Sequence, residues 1–146
     1  MREAIPVSQA DLVRIIEEAV PFNRLLGIKA ESVETGRCVL LLPVCSDHIG
    51  DPRRPALHGG VLSSLIDTAG GLAAWSALAT GQSVSTVDLR VDYLEPGRVA
   101  GPLRAEAELV RKGNRVCHVR IAVTQDGVLL AEGRGVYNIH GKNADA

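Results

Sequence analysis

The stretch Leu57-His58-Gly59-Gly60-Val61-Leu62-Ser63-Ser64-Leu65-Ile66-Asp67-Thr68 decides how this chain is read. It opens a run to about Leu78 that is small, apolar and free of proline, longer than a strand's usual reach, so a central helix is expected over about 58–78 with Gly81 as its stop. On a helical wheel Val61, Leu62, Leu65, Ile66, Ala69, Leu72 and Ala73 form one apolar face, and Asp67 stands opposite its centre. The residues flanking Asp67 are Ser63, Ser64, Gly70, Gly71 and Ala74. Such a face suits close approach by a substrate or a second subunit, although its position on the wheel alone also fits a solvated aspartate. Gly59 and Gly60 leave the first N–H groups of the helix open to a ligand, and the helix dipole favours negative charge there.

Downstream, four β-rich stretches follow at 83–95, 102–111, 115–125 and 128–139. Pro96-Gly97, Gly101-Pro102, Gly113-Asn114 and Asp126-Gly127 separate them, the last two as tight hairpin turns. Val87, Leu89, Val91 and Tyr93 alternate with Thr86, Asp88, Arg90 and Asp92, which predicts an antiparallel sheet with one buried face. Upstream, Leu12, Ile15, Ile16 and Ala19 predict an amphipathic helix over about 8–20, capped by Ser8 and ended by Pro21. Residues 22–28 read as a connector, Cys38 to Val44 as a buried strand, and Cys45 to Pro55 as a polar loop. The expected architecture is α+β, one helix lying along a curled antiparallel sheet, in a single domain over 1–146.

Composition narrows the function classes. The 146 residues are 46% hydrophobic, enough for one core, and the net charge of −1 gives no global field for nucleic acid or an anionic membrane. No apolar run has the length of a membrane span, and a cytoplasmic location is expected. Cys38, Cys45 and Cys117 lack a C-x-x-C pairing and are expected to be buried free thiols. His48, His58, His118 and His140 have no ligand-like spacing, so neither a metal nor another cofactor is expected.

The His58-Gly59-Gly60 start, with Asp67 eight positions after Gly59, resembles the signature of the PaaI-type hotdog-fold acyl-CoA thioesterases, within the 4-hydroxybenzoyl-CoA thioesterase-like superfamily. Ser85-Thr86-Val87-Asp88-Leu89 and Tyr93-Leu94-Glu95-Pro96-Gly97 are similar to that family's next strand, and the likeness spans roughly residues 22–140. It implies a hotdog fold and thioester hydrolysis. Asp67 would act as general base or nucleophile, the Gly59 amide would polarise the carbonyl, Thr86 would stand near the attacking water, and His58 would position the helix start. Relatives commonly carry an asparagine in the loop before the histidine; here residues 48–57 contain none.

A thiolate leaves without a strong acid, its conjugate acid having a pKa of roughly 8.5, so a sparse site suffices. Ser63 and Ser64 lack the nucleophile-elbow context of a serine hydrolase. Eight residues of helix separate Gly59 from Asp67 by about 12 Å, too far for both to serve one carbonyl. The minimal active unit is therefore expected to be a homodimer with two shared sites, and a homotetramer is a further possibility. Gly60 beside the site, and Arg53, Arg54, Lys112 and Arg115 for the phosphates of coenzyme A, are the candidate substrate contacts. Two other readings stand beside this one: a non-catalytic acyl-CoA-binding or regulatory hotdog domain, and an acyl-thioester hydratase or dehydratase using His58 as base.

Overall fold

A computed structural model describes residues 8–142. Ser8 caps α1 (Gln9–Arg14) through a reciprocal pair of bonds with Asp11. The expected helix over 8–20 is not continuous. It widens into a π turn over Ile15–Ala19, where the Val20 N–H donates to the Ile15 carbonyl, and then stops because Pro21 has no N–H to extend it. Pro21 instead starts a second short helix, α2 (Pro21–Leu26), in place of the expected connector, and Gly27 ends it at φ 78°.

The strands are β1 (Lys29–Glu34), β2 (Arg37–Leu42), β3 (Ile49–Asp51), β4 (Ala56–Leu57), β5 (Ser83–Tyr93), β6 (Leu103–Lys112), β7 (Val116–Gln125) and β8 (Val128–His140). The central helix α3 spans Gly59–Trp75, shorter than expected because residues 76–82 turn back toward β5. All neighbours in the six-stranded sheet are antiparallel, in the order β1-β2-β6-β7-β8-β5, and β3 pairs with β4 apart from it. Asp126 at φ 48° and Gly127 at φ 80° form the expected tight hairpin between β7 and β8.

The sheet curls around α3, which touches β2, β5, β6, β7 and β8. Leu65, Ile66, Ala69 and Ala73 are sealed against inward side chains such as Leu40, Ala105, Ala107 and Ile121. The alanines of β6 keep the sheet side thin where the helix approaches. This six-stranded sheet wrapped on one long helix is the hotdog fold.

Two expectations about burial fail. Val87 and Tyr93 are 63% and 54% exposed, because β5 is an edge strand whose register slips between Thr86 and Asp88. Cys45 is exposed, since it lies in the loop after β2, whereas Cys38 and Cys117 are buried on strands. Burial pushes the Cys38 thiol up to about 12.

Candidate active site

The start of α3 is held from the loop before it. His58 is the N-cap, and its Nδ1 accepts the Gly60 N–H at 2.8 Å. The His58 N–H donates to the His48 carbonyl at 2.8 Å, and the His48 Nδ1 accepts the Cys45 N–H at 3.2 Å. Gly50 lets this loop pass so close that an added Cβ would sit 2.7 Å from the His58 Cα. Because His58 engages Gly60, the amide left free in the first turn is that of Gly59, for which no acceptor exists among the described residues. The Gly59 carbonyl accepts from the Tyr93 hydroxyl at 3.0 Å, and an added Cβ on Gly59 would meet the Tyr93 ring at 3.3 Å.

Two turns along, Asp67 is half-buried between α3 and the β5–β8 edge. The Thr86 hydroxyl donates to Asp67 Oδ1 at 2.7 Å. From below, the Tyr137 hydroxyl donates to the Asp67 carbonyl at 3.0 Å. Tyr137 is 1% exposed, and burial, followed by the nearby Asp67 charge, raises its phenol above the ordinary value, so it remains a protonated donor. The ring fits because Gly70 and Gly135 carry no side chains: an added Cβ would lie 2.1 Å from the Tyr137 hydroxyl at Gly70 and 2.4 Å from its ring at Gly135. Thus one carboxylate oxygen is held by Thr86, and the other, which has no hydrogen-bond partner among the described residues, can take a water proton.

Of the residues singled out in the sequence, Asp67 and Thr86 meet, and His58, Gly59 and Gly60 form one helix start. Gly59 and Asp67 lie on the same α3, so the separation of about 12 Å persists within a chain. The basic residues are not brought together. Arg53 and Arg54 lie before α3 and pair with Asp51 at 3.1 and 3.8 Å, and the Arg53 bonds hold the Asp51 carboxyl below its usual range. Lys112 lies past the other end of α3 and donates to the Ala77 carbonyl at 3.0 Å, with Arg115 in the adjoining turn. Sequence reasoning missed the roles of Tyr93 and Tyr137. The chain has two tyrosines, and each donates to the carbonyl of one of the two separated site residues, Gly59 and Asp67.

Among the described residues no His, Cys, Asp or Glu cluster could hold a metal ion, and no helix is long and apolar enough to cross a membrane. Hollows of about 400 and 460 Å³ lie on the outer sheet face among charges such as Arg90, Glu108 and Arg134, away from the Asp67–Thr86 pair.

Fold and helix start together define a member of the thioesterase class, and residues 55–132 match the Thioesterase superfamily; the chain belongs to that family. It is similar to the medium/long-chain acyl-CoA thioesterase YigI of Salmonella typhimurium, with 33% identity over 134 residues, 82% of this chain and 86% of that one. Among solved structures, a thioesterase-superfamily-related protein of Shewanella oneidensis aligns at a TM-score of 0.80 and 28% identity, covering 89% and 94% of the two chains. The E. coli PaaI protein from the phenylacetic acid degradation operon aligns at 0.79 and 25%, covering 93% and 99%.

Proposed function

We propose that this protein hydrolyses acyl-CoA thioesters to free acid and thiol. The observation that carries the reading is the Asp67 carboxylate, oriented by Thr86 on a helix whose first turn presents the open Gly59 amide. In the reaction Asp67 takes a proton from the water that attacks the carbonyl, or attacks the carbonyl itself to form a mixed anhydride that water then cleaves to free acid and the regenerated carboxylate. The Gly59 N–H and the helix dipole stabilise the oxyanion, and the thiolate then departs unaided. The YigI relative supports coenzyme A as the thiol carrier and medium or long acyl groups as the class.

Both halves of the site come from one helix about 12 Å apart, so the working unit is a homodimer that sets Gly59 of one copy opposite Asp67 of the other. The exposed β5 edge, with Val87 and Tyr93, supports this arrangement. Coenzyme A phosphates would then meet Arg53 and Arg54 from one copy and Lys112 and Arg115 from the other.

The test is thiol release from acyl-CoA by wild type and by Asp67→Asn, which keeps shape and removes the carboxylate. A loss of at least roughly a hundredfold with folding intact is expected. Near-normal turnover in the variant would remove Asp67 from the mechanism. Wild type that binds acyl-CoA and releases no thiol would make the domain a binding module.

A further inference from the structure

A groove of about 200 Å³ begins at Asp67 and Thr86 and runs along α3, away from Gly59, toward Trp75. Asp67, Gly71 and Trp75 stand at successive four-residue steps on one line of the helix, so the line from carboxylate to indole is about 12 Å long. Gly71 forms its floor. A Cβ there would make only ordinary contact with the Tyr137 ring at 3.5 Å, so the missing side chain opens the path rather than serving close packing. Val84 of β5 forms one wall, and Ile16 of the π turn with Val20, the residue that follows the turn, forms the other. Trp75 closes the far end, its Nε1 fixed to the Gln82 carbonyl at 2.9 Å.

The π-turn wall is fastened by a buried polar side chain. Asn23, 3% exposed, donates from Nδ2 to the Ile16 carbonyl at 3.1 Å, and its Oδ1 accepts from the Thr68 hydroxyl at 3.5 Å. Glu17 adds a second anchor by accepting the Ala30 N–H at 2.8 Å. Asn23 thereby ties the Ile16 backbone to Thr68, the residue next to Asp67, on the side where Ile16 and Val20 line the groove.

We infer that this groove is the acyl-chain subsite and that it selects a straight, medium-length aliphatic acyl group, with Trp75 setting the length. This rests on the hydrolase reading and deepens it. An extended alkyl chain advances about 1.3 Å per carbon, so the line of about 12 Å from Asp67 to Trp75 takes on the order of eight carbons with the van der Waals radii of the chain ends. Each methylene added should raise kcat/KM by up to about fourfold, the value for complete burial, up to an octanoyl chain, and beyond that the gain should level off at the Trp75 wall. The linear course over Gly71 favours an unbranched chain over an aryl group.

The test is a chain-length series of acyl-CoA esters from acetyl to dodecanoyl, with phenylacetyl-CoA alongside, on wild type, Val84→Phe, Val20→Phe and Trp75→Leu. The octanoyl-to-acetyl ratio of kcat/KM should fall at least tenfold in Val84→Phe, with Val20→Phe as the second variant should the first not fold. The dodecanoyl-to-octanoyl ratio should rise about fourfold or more in Trp75→Leu. Ratios within twofold of wild type in the folded variants, or wild type preferring phenylacetyl-CoA, would overturn the subsite. Calorimetric binding of the non-hydrolysable S-octyl and S-ethyl CoA thioethers separates the two readings. Absence of turnover on every ester with octyl-selective binding that Val84→Phe abolishes would sink the hydrolase reading and keep the groove. Turnover without chain-length dependence would do the reverse.

Discussion

The two edges of the sheet are built differently. β1 is six residues long, carries Lys29, Glu31 and Glu34, has a register slip between Ala30 and Ser32, and is touched by α1 and the π turn. These are devices that stop an edge from pairing with another chain. β5 is eleven residues long, and its outer side has no strand neighbour among the described residues. It exposes Val87, and Leu94 follows it at 51% exposure. The protected edge shows by contrast what the open one lacks: β5 also holds Thr86 against Asp67, so an edge paired with a second copy would carry the proposed half-site to the interface.

The largest effect on this contrast should come from placing one lysine on each edge. Val87→Lys puts a charge on the open edge of each copy and should weaken the proposed dimer on the order of tenfold, with activity lost on dilution. Ser32→Lys on β1 should change neither. Sedimentation and activity across protein concentration measure both variants, and equal behaviour of the two would erase the distinction between the edges.

A second effect tests how the open edge is joined to the helix. Gly70→Ala should gain up to about 1 kcal/mol in helix propensity. It also forces a Cβ to within 2.1 Å of the Tyr137 hydroxyl, and overpacking of a sealed ring costs about 1–3 kcal/mol, so net destabilisation is expected. Adding Tyr137→Phe should recover part of the loss, which a double-mutant cycle in denaturant would read as coupling. Purely additive losses would mean that the ring does not press on the helix at Gly70.

How much of this was legible in the sequence follows from the same contrast. The hairpin strands at 103–112, 116–125 and 128–140 match the expected runs because Gly113-Asn114 and Asp126-Gly127 punctuate them and their inner faces are apolar. β1 escaped notice because a protected edge is written in charges, which read as loop. The π turn escaped because its apolar spacing at Leu12, Ile15, Ile16 and Ala19 is that of an ordinary helix until Pro21 interrupts it. In β5 the alternation was read correctly as a strand and wrongly as buried, since a period of two does not say whether a partner covers the face. Asp67, Gly59 and Thr86 stood out by spacing and resemblance. Tyr93 and Tyr137 did not, because a hydroxyl bonded to a backbone carbonyl leaves no mark on the partner's residue type.

A smaller effect concerns the protected side, where Cys38 of β2 donates to the Ala69 carbonyl at 3.2 Å. Its thiol is raised by burial from 9.0 to about 12, so its contribution is full below pH 9 and is lost as pH rises toward 12, where the unfolded chain ionises first. The stability advantage of wild type over Cys38→Ala should therefore shrink by on the order of 1–2 kcal/mol between pH 8 and pH 10.5 in urea unfolding. A pH-independent difference would mean that the thiol is not sealed.

The shared site itself is tested most directly by complementation. Asp67→Asn disables one half, and Gly59→Val disables the other; Gly59 lies outside the left-handed region, so the change obstructs the amide against Tyr93 without demanding a new backbone. Each variant, once shown to fold and dimerise, should be inactive alone. Mixed in equal amounts and allowed to exchange subunits, half the dimers are hybrids with one intact site of two, so about one quarter of wild-type thioester hydrolysis should return. No recovery in verified hybrids, or full activity in an isolated monomer, would contradict a site built from two copies.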